Sequence, residues 1–212
     1  MSQMRKITLI QLQAKRKDRY NVYLDGEFAF GLHQDVLLES GIAAGDELTA
    51  EQIDHILTLE DKKRAKEKAL RLLAVRARSR KELSDRLRQA KFSIETIENT
   101  LHVLERLKLV NDAEFAVSFG RNRTVTKPSG SFLLRQELKV KGLNEEDIQK
   151  GLTAAFAEKS EADLAWELAV KSKKRYASQE ELKAKKRVSD FLLRRGFQWD
   201  VVSDVIENWE RL

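Results

Sequence analysis

One spacing of apolar residues occurs three times in this 212-residue chain, and it constrains the fold more than any other feature. In each copy five apolar residues follow one another at steps of 4, 5, 5 and 4 positions. The three sets are Leu83, Leu87, Phe92, Ile97 and Leu101; Leu134, Leu138, Leu143, Ile148 and Leu152; and Val188, Leu192, Phe197, Val202 and Ile206. Steps of 4 keep side chains on one helix face, and the steps of 5 cross a turn into the next helix. The pattern predicts a tandem helical repeat.

Turn and capping residues support the same division of the chain into helices. Gly142 and Gly196 stand just before the shared bulky residue, where glycine commonly ends a helix, and Lys91 holds that place in the first copy. Capping boxes are indicated at Thr49/Gln52, Ser79/Glu82 and Ser178/Glu181, with further N-caps at Thr58, Ser93, Asn111, Ser129, Asn144 and Ser160. These starts predict nine helices, over 59–76, 80–90, 94–108, 112–124, 130–141, 145–157, 161–175, 179–195 and 199–211.

The N-terminal segment has a different pattern. Ile7–Leu12, Tyr20–Leu24 and Glu27–Phe30 are rich in β-branched and aromatic residues, and Asp25-Gly26 between the last two is a strong hairpin signal. A three-stranded meander is expected, covered on one face by a helix over 33–40 that Gly41 stops.

The predicted fold class is mainly α. Three tandem three-helix repeats form an elongated curved array, preceded by a small N-terminal β-meander plus helix. The expected domains are 1–57 for the strand-bearing segment and 58–110, 111–158 and 159–212 for the three repeats.

Basic residues are concentrated in three blocks, although the formal net charge is only +6. Residues 62–91 hold 13 basic and 3 acidic side chains, residues 121–141 hold 6 and 1, and residues 171–195 hold 10 and 3. The candidate binding residues are Arg76, Arg78, Arg80, Lys81, Arg86, Arg88, Arg121, Arg123, Lys127, Arg135, Lys139, Lys141, Lys173, Lys174, Arg175, Lys185, Lys186, Arg187, Arg194 and Arg195. Because they fall on the second helix of each repeat and the helix end before it, we expect one basic stripe. Such a stripe suits a polyanion or an acidic groove on a protein assembly; the alternative is a set of solvated helix faces.

Several classes of protein are excluded or disfavoured. The chain has no cysteine, no phosphate-binding glycine motif and no apolar run long enough to cross a membrane, so a soluble, cytoplasmic protein is expected. His33, His55 and His102 lie on separate predicted elements and are expected at the surface or its boundary. No constellation supports catalysis, a cofactor or a metal. Aromatic residues, among them Trp166, Trp199 and Trp209, are expected in the core; stacking on single strands stays open, but no particular ring is selected.

Three stretches resemble the RecX family. They are Ala69 through Leu83 with Leu87, Leu107 through Ala116, and Gly130 through Leu134 followed by Glu137 through Leu143. The resemblance covers roughly 60–210; Val110-Asn111-Asp112 replaces a more usual Ile/Leu-Asp-Asp, and the third repeat is loosely patterned. It implies a monomeric regulator, usually an inhibitor, of the RecA recombinase that lies in the groove of the RecA–DNA filament. There it modulates ATP hydrolysis, strand exchange and SOS co-protease activity, and direct contact with single- or double-stranded DNA is expected. The alternatives are a general DNA-binding repeat protein without a filament partner, and an enzyme.

Overall fold

A computed structural model describes residues 4–212 and contains four β-strands, ten α-helices and one 3₁₀ helix within that range. The strands are β1 Arg5–Leu12, β2 Arg19–Leu24, β3 Glu27–His33 and β4 Glu47–Leu48. The helices are α1 Gln34–Ser40, α2 Ala50–Val75, α3 Arg80–Gln89, α4 Ile94–Arg106, α5 Asp112–Thr126, α6 Ser131–Val140, α7 Glu145–Ala155, α8 Glu161–Arg175, α9 Glu181–Arg194 and α10 Trp199–Glu207, with the 3₁₀ helix at Trp209–Arg211. The mainly α prediction is confirmed.

Two compact units divide the chain. The first unit comprises residues up to Arg76 together with Leu83–Leu109, and the second comprises Ala77–Glu82 together with Val110–Leu212. The first turn of α3 therefore belongs to the second unit, although the rest of that helix belongs to the first.

The N-terminal sheet is antiparallel, with strand order β3-β2-β1-β4. The predicted hairpin is present, and Asp25 and Gly26 have φ values of 51° and 87°, as a tight turn between twisted strands requires. The two-residue strand β4, which pairs with Arg5 and Lys6, was not predicted because so short a segment has no periodicity. On one face of the sheet Ile7, Val22, Leu24, Phe30 and Leu32 form a core with Leu48 and with side chains of α1 and α2.

Helix α2 starts earlier than predicted. Thr49 caps it through a complete capping box with Gln52, as expected, and the helix then runs without a break to Val75. The N-cap predicted at Thr58 is wrong, because its hydroxyl donates to the carbonyl of Asp54 (2.9 Å) inside the helix. Nothing between residues 50 and 58 stops a helix, since that stretch contains neither glycine nor proline.

The remaining eight helices lie where the sequence predicts them. The caps at Ser79, Ser93, Asn111, Asn144 and Ser160 are confirmed by hydrogen bonds from backbone N–H groups of the first helical turn. Two predicted caps are wrong: α6 has Gly130 at its N-cap and α9 has Glu180. Ser129 is buried with its hydroxyl unbonded within the described residues, and the segment before Glu180 forms turns instead of helix.

The repeated apolar spacing identifies the core. Thirteen of the fifteen residues in the three sets are buried, and only Phe92 and Ile206 are half-buried. In the second unit they belong to two clusters, one around Leu134, Leu138 and Ile148 and the other around Val188, Leu192 and Val202.

Glycines end α6 and α9 at positions where the chain packs closely. Gly142 and Gly196 have φ values of 83° and 80°, which favour glycine. A Cβ on Gly196 would lie 2.5 Å from the backbone nitrogen of Leu133, and a Cβ on Gly142 would lie 2.6 Å from the Cβ of Lys81. Lys91, the equivalent residue of the first repeat, is exposed and also has a positive φ, 65°.

Each of the two glycine junctions also has an equivalent hydrogen bond. Ser79 and Gly130 each stand four residues before the first apolar residue of their repeat. The Ser79 hydroxyl donates to the carbonyl of Lys141 (2.7 Å), and the Gly130 N–H donates to the carbonyl of Arg195 (3.0 Å). Within the second unit, the start of one repeat's second helix therefore contacts the end of the next repeat's second helix.

Candidate functional site

The predicted basic residues lie on α3, α6 and α9, on the ends of α2, α5 and α8, or in the adjoining turns. The structure separates those in the second unit into two groups. Some are bonded to acidic, carbonyl or aromatic groups of the protein, and others are exposed without such a partner among residues 4–212. That the three blocks form one stripe remains a prediction.

Arg123 is the most deeply buried of the predicted residues, with 9% of its surface exposed. Its guanidinium donates from Nε and Nη2 to the two carboxylate oxygens of Glu137 at 2.6 and 2.7 Å, and it also bonds the carbonyl of Lys127. A two-point pair of this kind is strong and directional. Arg123 joins α5 to α6 and is not available to a ligand.

Lys141 also has a structural environment. Its ammonium donates to Glu82 (2.8 Å) and lies 5.0 Å from the centre of the Phe119 ring, within the range of a cation–π contact. Arg135 is bonded to Glu145 on α7, and Lys139 is 3.8 Å from the same carboxylate. The two basic residues of α6 thus share a single carboxylate.

In the third repeat the bonded cations pack on aromatic rings. Lys173 donates to the carbonyl of Trp209 (2.8 Å) and lies 4.8 Å from the ring centre. Arg187 lies 5.4 Å from the Tyr176 ring centre. Of the other predicted residues, Lys185 pairs with Glu181 at 2.5 Å, and Arg195 donates to the Pro128 carbonyl at 3.1 Å and lies over Phe191. Lys183, which is not among the predicted residues, pairs with Glu180 at 3.0 Å.

Four of the predicted cations in the same repeat differ from these. Lys174, Arg175, Lys186 and Arg194 are exposed, and their side chains have no hydrogen-bond, ion-pair or ring partner among residues 4–212. We call them the α8–α9 cations. Arg121 and Lys127 are the corresponding exposed cations of the second repeat. These side chains remain free to meet an anionic surface.

The first basic block is divided between the two units. Arg86 donates to Gln89 (3.2 Å) and Arg88 lies 3.9 Å from Asp85 in the first unit, which also contains Arg76. The second unit contains Arg78, Arg80 and Lys81. The backbone N–H of Arg80 donates to the Asp112 carboxylate (2.8 Å), so the start of α3 is fastened to the start of α5.

Two carboxyl groups of the second unit have a lowered pKa. On α7, a hydrogen bond from the Lys150 ammonium lowers the pKa of Glu146. At the start of α8, hydrogen bonds from the hydroxyl and then the N–H of Ser160 lower the pKa of Asp163. Both shifts are those of structural contacts, a helix-surface ion pair and a helix cap.

No group of histidine, aspartate and glutamate side chains in the described range is arranged to hold a metal ion. His55 and His102 are exposed, and His33 is half-buried beside the Asp18, Asp35 and Glu67 carboxylates, in line with the surface or boundary positions predicted. None of the helices between residues 4 and 212 has both the length and the hydropathy needed to cross a membrane.

The prediction that Trp199 belongs to the core is wrong. It is 65% exposed, whereas Trp209 is buried and Trp166 is half-buried. Trp199 is the first residue of α10, and Phe197, two residues before it, belongs to the core instead. Helical spacing alone did not distinguish the two aromatic residues.

Four family models match the chain in order. They are the RecX N-terminal domain, over residues 5–49, and the first, second and third RecX three-helix domains, over 65–106, 111–152 and 160–206.

Curated relatives and solved structures agree with these matches. Regulatory protein RecX of Limosilactobacillus reuteri is 34% identical over 93% of this chain and 74% of the relative, and that of Bacillus subtilis is 32% identical over 96% and 77%. A crystal structure of regulatory protein RecX superposes with a TM-score of 0.75 at 33% identity, covering 96% of this chain and all of that one. RecX from Lactobacillus salivarius shares the fold, with a TM-score of 0.65 at 24% identity over 73% of this chain and 99% of that chain. The chain therefore belongs to the RecX family of regulatory proteins.

Proposed function

We propose that this protein regulates RecA by binding in the groove of the RecA–DNA filament, where it lowers ATP hydrolysis, strand exchange and co-protease activity. It acts in the cytoplasm as a monomer, catalyses no reaction itself and contacts DNA as well as RecA. Membership of the RecX family supports this proposal, and so does the function that the resemblance of its repeats to that family implies.

The exposed α8–α9 cations are the observation that carries the proposal. Four positive side chains on two consecutive helices have no partner among the described residues, so their charge is available to phosphates or carboxylates of another molecule. Cations that neutralise phosphates release bound counterions, which favours association with nucleic acid. Acidic protein surfaces attract the same groups.

A binding protein of this kind acts without chemistry. Tandem helical repeats present equivalent side chains at successive positions, so several repeats can contact several RecA protomers at once. Holding neighbouring protomers together restricts the relative motion that ATP turnover requires. The expected effect is a slower filament ATPase.

The direct test adds the protein to RecA filaments on single-stranded DNA and follows ATP turnover. At amounts stoichiometric with RecA we expect turnover to fall. An unchanged rate would contradict the proposed function.

Two charge variants make this test specific. The α8–α9 variant replaces Lys174, Arg175, Lys186 and Arg194 by glutamine, and a control variant replaces Lys15, Arg16, Lys17 and Lys66, which are also exposed. Both lower the net charge by the same amount, and we expect only the α8–α9 variant to lose inhibition. Loss in both would favour a general DNA-binding protein, which would also bind bare DNA and filaments equally well with a steep salt dependence.

A further inference from the structure

A cavity of about 800 Å³ opens in the second unit between α6, α7 and the start of α10. Phe132 and Trp199 line it, with 59% and 65% of their surfaces exposed. Every other aromatic residue of the second unit is buried or half-buried. Exposed aromatic surface in this unit is therefore concentrated in one cavity. Exposed rings gathered in one place indicate a binding surface.

The polar groups of the cavity suit a nucleobase. Gln149 and Gln198 line it, and a side-chain amide has both hydrogen-bond donors and an acceptor. Gln149 accepts from Arg135 (3.3 Å), and Gln198 donates to the Ser131 hydroxyl (3.1 Å). An apolar side chain from a protein partner would bury these amides without offering them new hydrogen bonds, which is costly.

Positive charge follows the same side of α6. Phe132, Arg135 and Lys139 are spaced at i, i+3 and i+7, so the ring and the two cations lie in a row along the helix. Arg135 and Lys139 share one carboxylate, that of Glu145, which leaves one positive charge in excess. A row of a ring followed by cations matches a strand whose bases stack while its phosphates pass alongside.

We propose that this cavity binds single-stranded DNA, with bases stacked on Trp199 and Phe132 and the phosphates beside Arg135 and Lys139. The inference deepens the proposed function and rests on it for the choice of DNA as the nucleic acid. Duplex DNA is disfavoured, because its bases are already stacked and paired and cannot reach the rings.

The test titrates the full-length protein, without RecA, with an oligodeoxythymidine of about 16 nucleotides, the upper end of the site sizes found in single-strand-binding folds. Trp199 is the most exposed of the three tryptophans, so base stacking should quench the tryptophan emission. In parallel, the anisotropy of a labelled oligonucleotide reports affinity. Trp199→Phe should bind with nearly unchanged affinity but lose most of the quenching, because the ring remains while the fluorophore is removed.

Loss of a ring should weaken binding. Stacking of a base on an aromatic side chain is worth about 1–3 kcal/mol, so Trp199→Ala and Phe132→Ala should each reduce affinity about 5- to 150-fold. Phe28→Ala is the matched control, because Phe28 is equally exposed but lies on β3, and its affinity should not change. Circular dichroism checks that the variants keep their helices.

Two results would overturn the inference. One is a saturating oligonucleotide that leaves the tryptophan emission unchanged, and the other is Trp199→Ala binding as tightly as the wild type. If the protein still slows the RecA ATPase in either case, the proposed function stands while the cavity assignment fails. Conversely, quenching by the oligonucleotide without any effect on RecA would support the cavity and contradict the proposed function.

Discussion

The second and third repeats carry similar basic blocks but use their charge differently. In the second repeat Arg123, Arg135 and Lys141 are each bonded to a carboxylate, and two of these pairs join helices of the repeat to each other. In the third repeat Lys173, Arg187 and Arg195 contact rings or carbonyls, and the four α8–α9 cations have no partner in the described chain. A count of lysines and arginines therefore does not distinguish the ion pairs that join helices of the second repeat from the four partnerless cations of the third.

The largest expected effect concerns the glycines that end α6 and α9. Gly196→Ala should cost about 3 kcal/mol or more of unfolding free energy. The positive φ disfavours an L-residue by about 1–2 kcal/mol, and the new Cβ would also meet the backbone of Leu133. Gly142→Ala should cost less, about 2 kcal/mol, because the atoms nearest its Cβ would be side-chain atoms of Lys81 and not backbone. Urea denaturation measures both.

Lys91→Ala is the control for the glycine variants. Lys91 already adopts a positive φ and is exposed, so the change should stay within about 0.5 kcal/mol. Equal stability of Gly196→Ala and wild type would show that the close contact at this junction does not contribute to the fold.

A smaller loss is expected from the buried ion pair of the second repeat. Arg123→Met would leave the Glu137 carboxylate, itself 30% exposed, without its partner and remove the donor to the Lys127 carbonyl. We expect a loss of about 2–3 kcal/mol in unfolding free energy, below the range for fully buried pairs because water still reaches Glu137. Replacing Glu137 as well should recover part of it.

Arg121→Met is the matched comparison, since Arg121 lies on the same helix but is exposed. Its effect on stability should be within about 0.5 kcal/mol. If Arg123→Met were equally mild, the division of this block into structural and exposed cations would be wrong.

The smallest expected effect is a difference in pH dependence between the N-terminal caps of α5 and α8, the first helices of the two repeats. Helix α8 is capped by a box in which hydrogen bonds from Ser160 lower the pKa of Asp163, whereas α5 is capped by the uncharged amide of Asn111. A folded-state pKa below the unfolded value stabilises the protein above the unfolded pKa, and this contribution is lost as pH falls through the lowered value. Asp163→Asn should therefore flatten the pH dependence of unfolding free energy below about pH 4.

Ser160→Ala should flatten the same acid limb, since it removes the hydroxyl that bonds Asp163. An acid limb identical to that of the wild type in both variants would contradict the role given to this cap.

Patterns that depend on local physics could be predicted from the sequence. The apolar spacing identified the core because helix periodicity requires those positions to face inward, and Gly142 and Gly196 identified turns because few other residues accept a positive φ. The positive φ of Lys91 could not be predicted in this way, because a lysine does not indicate one. The structure shows that Lys91 adopts it with its side chain exposed.

Contacts distant in sequence explain what could not be predicted. Ser129 resembles an N-cap, but Gly130 takes that position where its N–H bonds the Arg195 carbonyl, 65 residues along the chain. Similarly, whether a lysine is free depends on partners such as Glu82 for Lys141, which no local pattern indicates. The exposure of Trp199 also depends on tertiary packing, because Phe197 and not Trp199 enters the core at this turn.

The most direct test of the central claim measures affinity for RecA filaments across a range of salt concentrations. The wild type is compared with the α8–α9 variant and the control variant of residues 15–17 and 66. We predict that the α8–α9 variant binds at least about tenfold more weakly. Its plot of log affinity against log salt should also become shallower, with the magnitude of the slope reduced by up to about 3, as the loss of four phosphate contacts would give. The control variant should retain the wild-type slope. Identical slopes and affinities for all three proteins would contradict the claim that the α8–α9 cations form the binding surface.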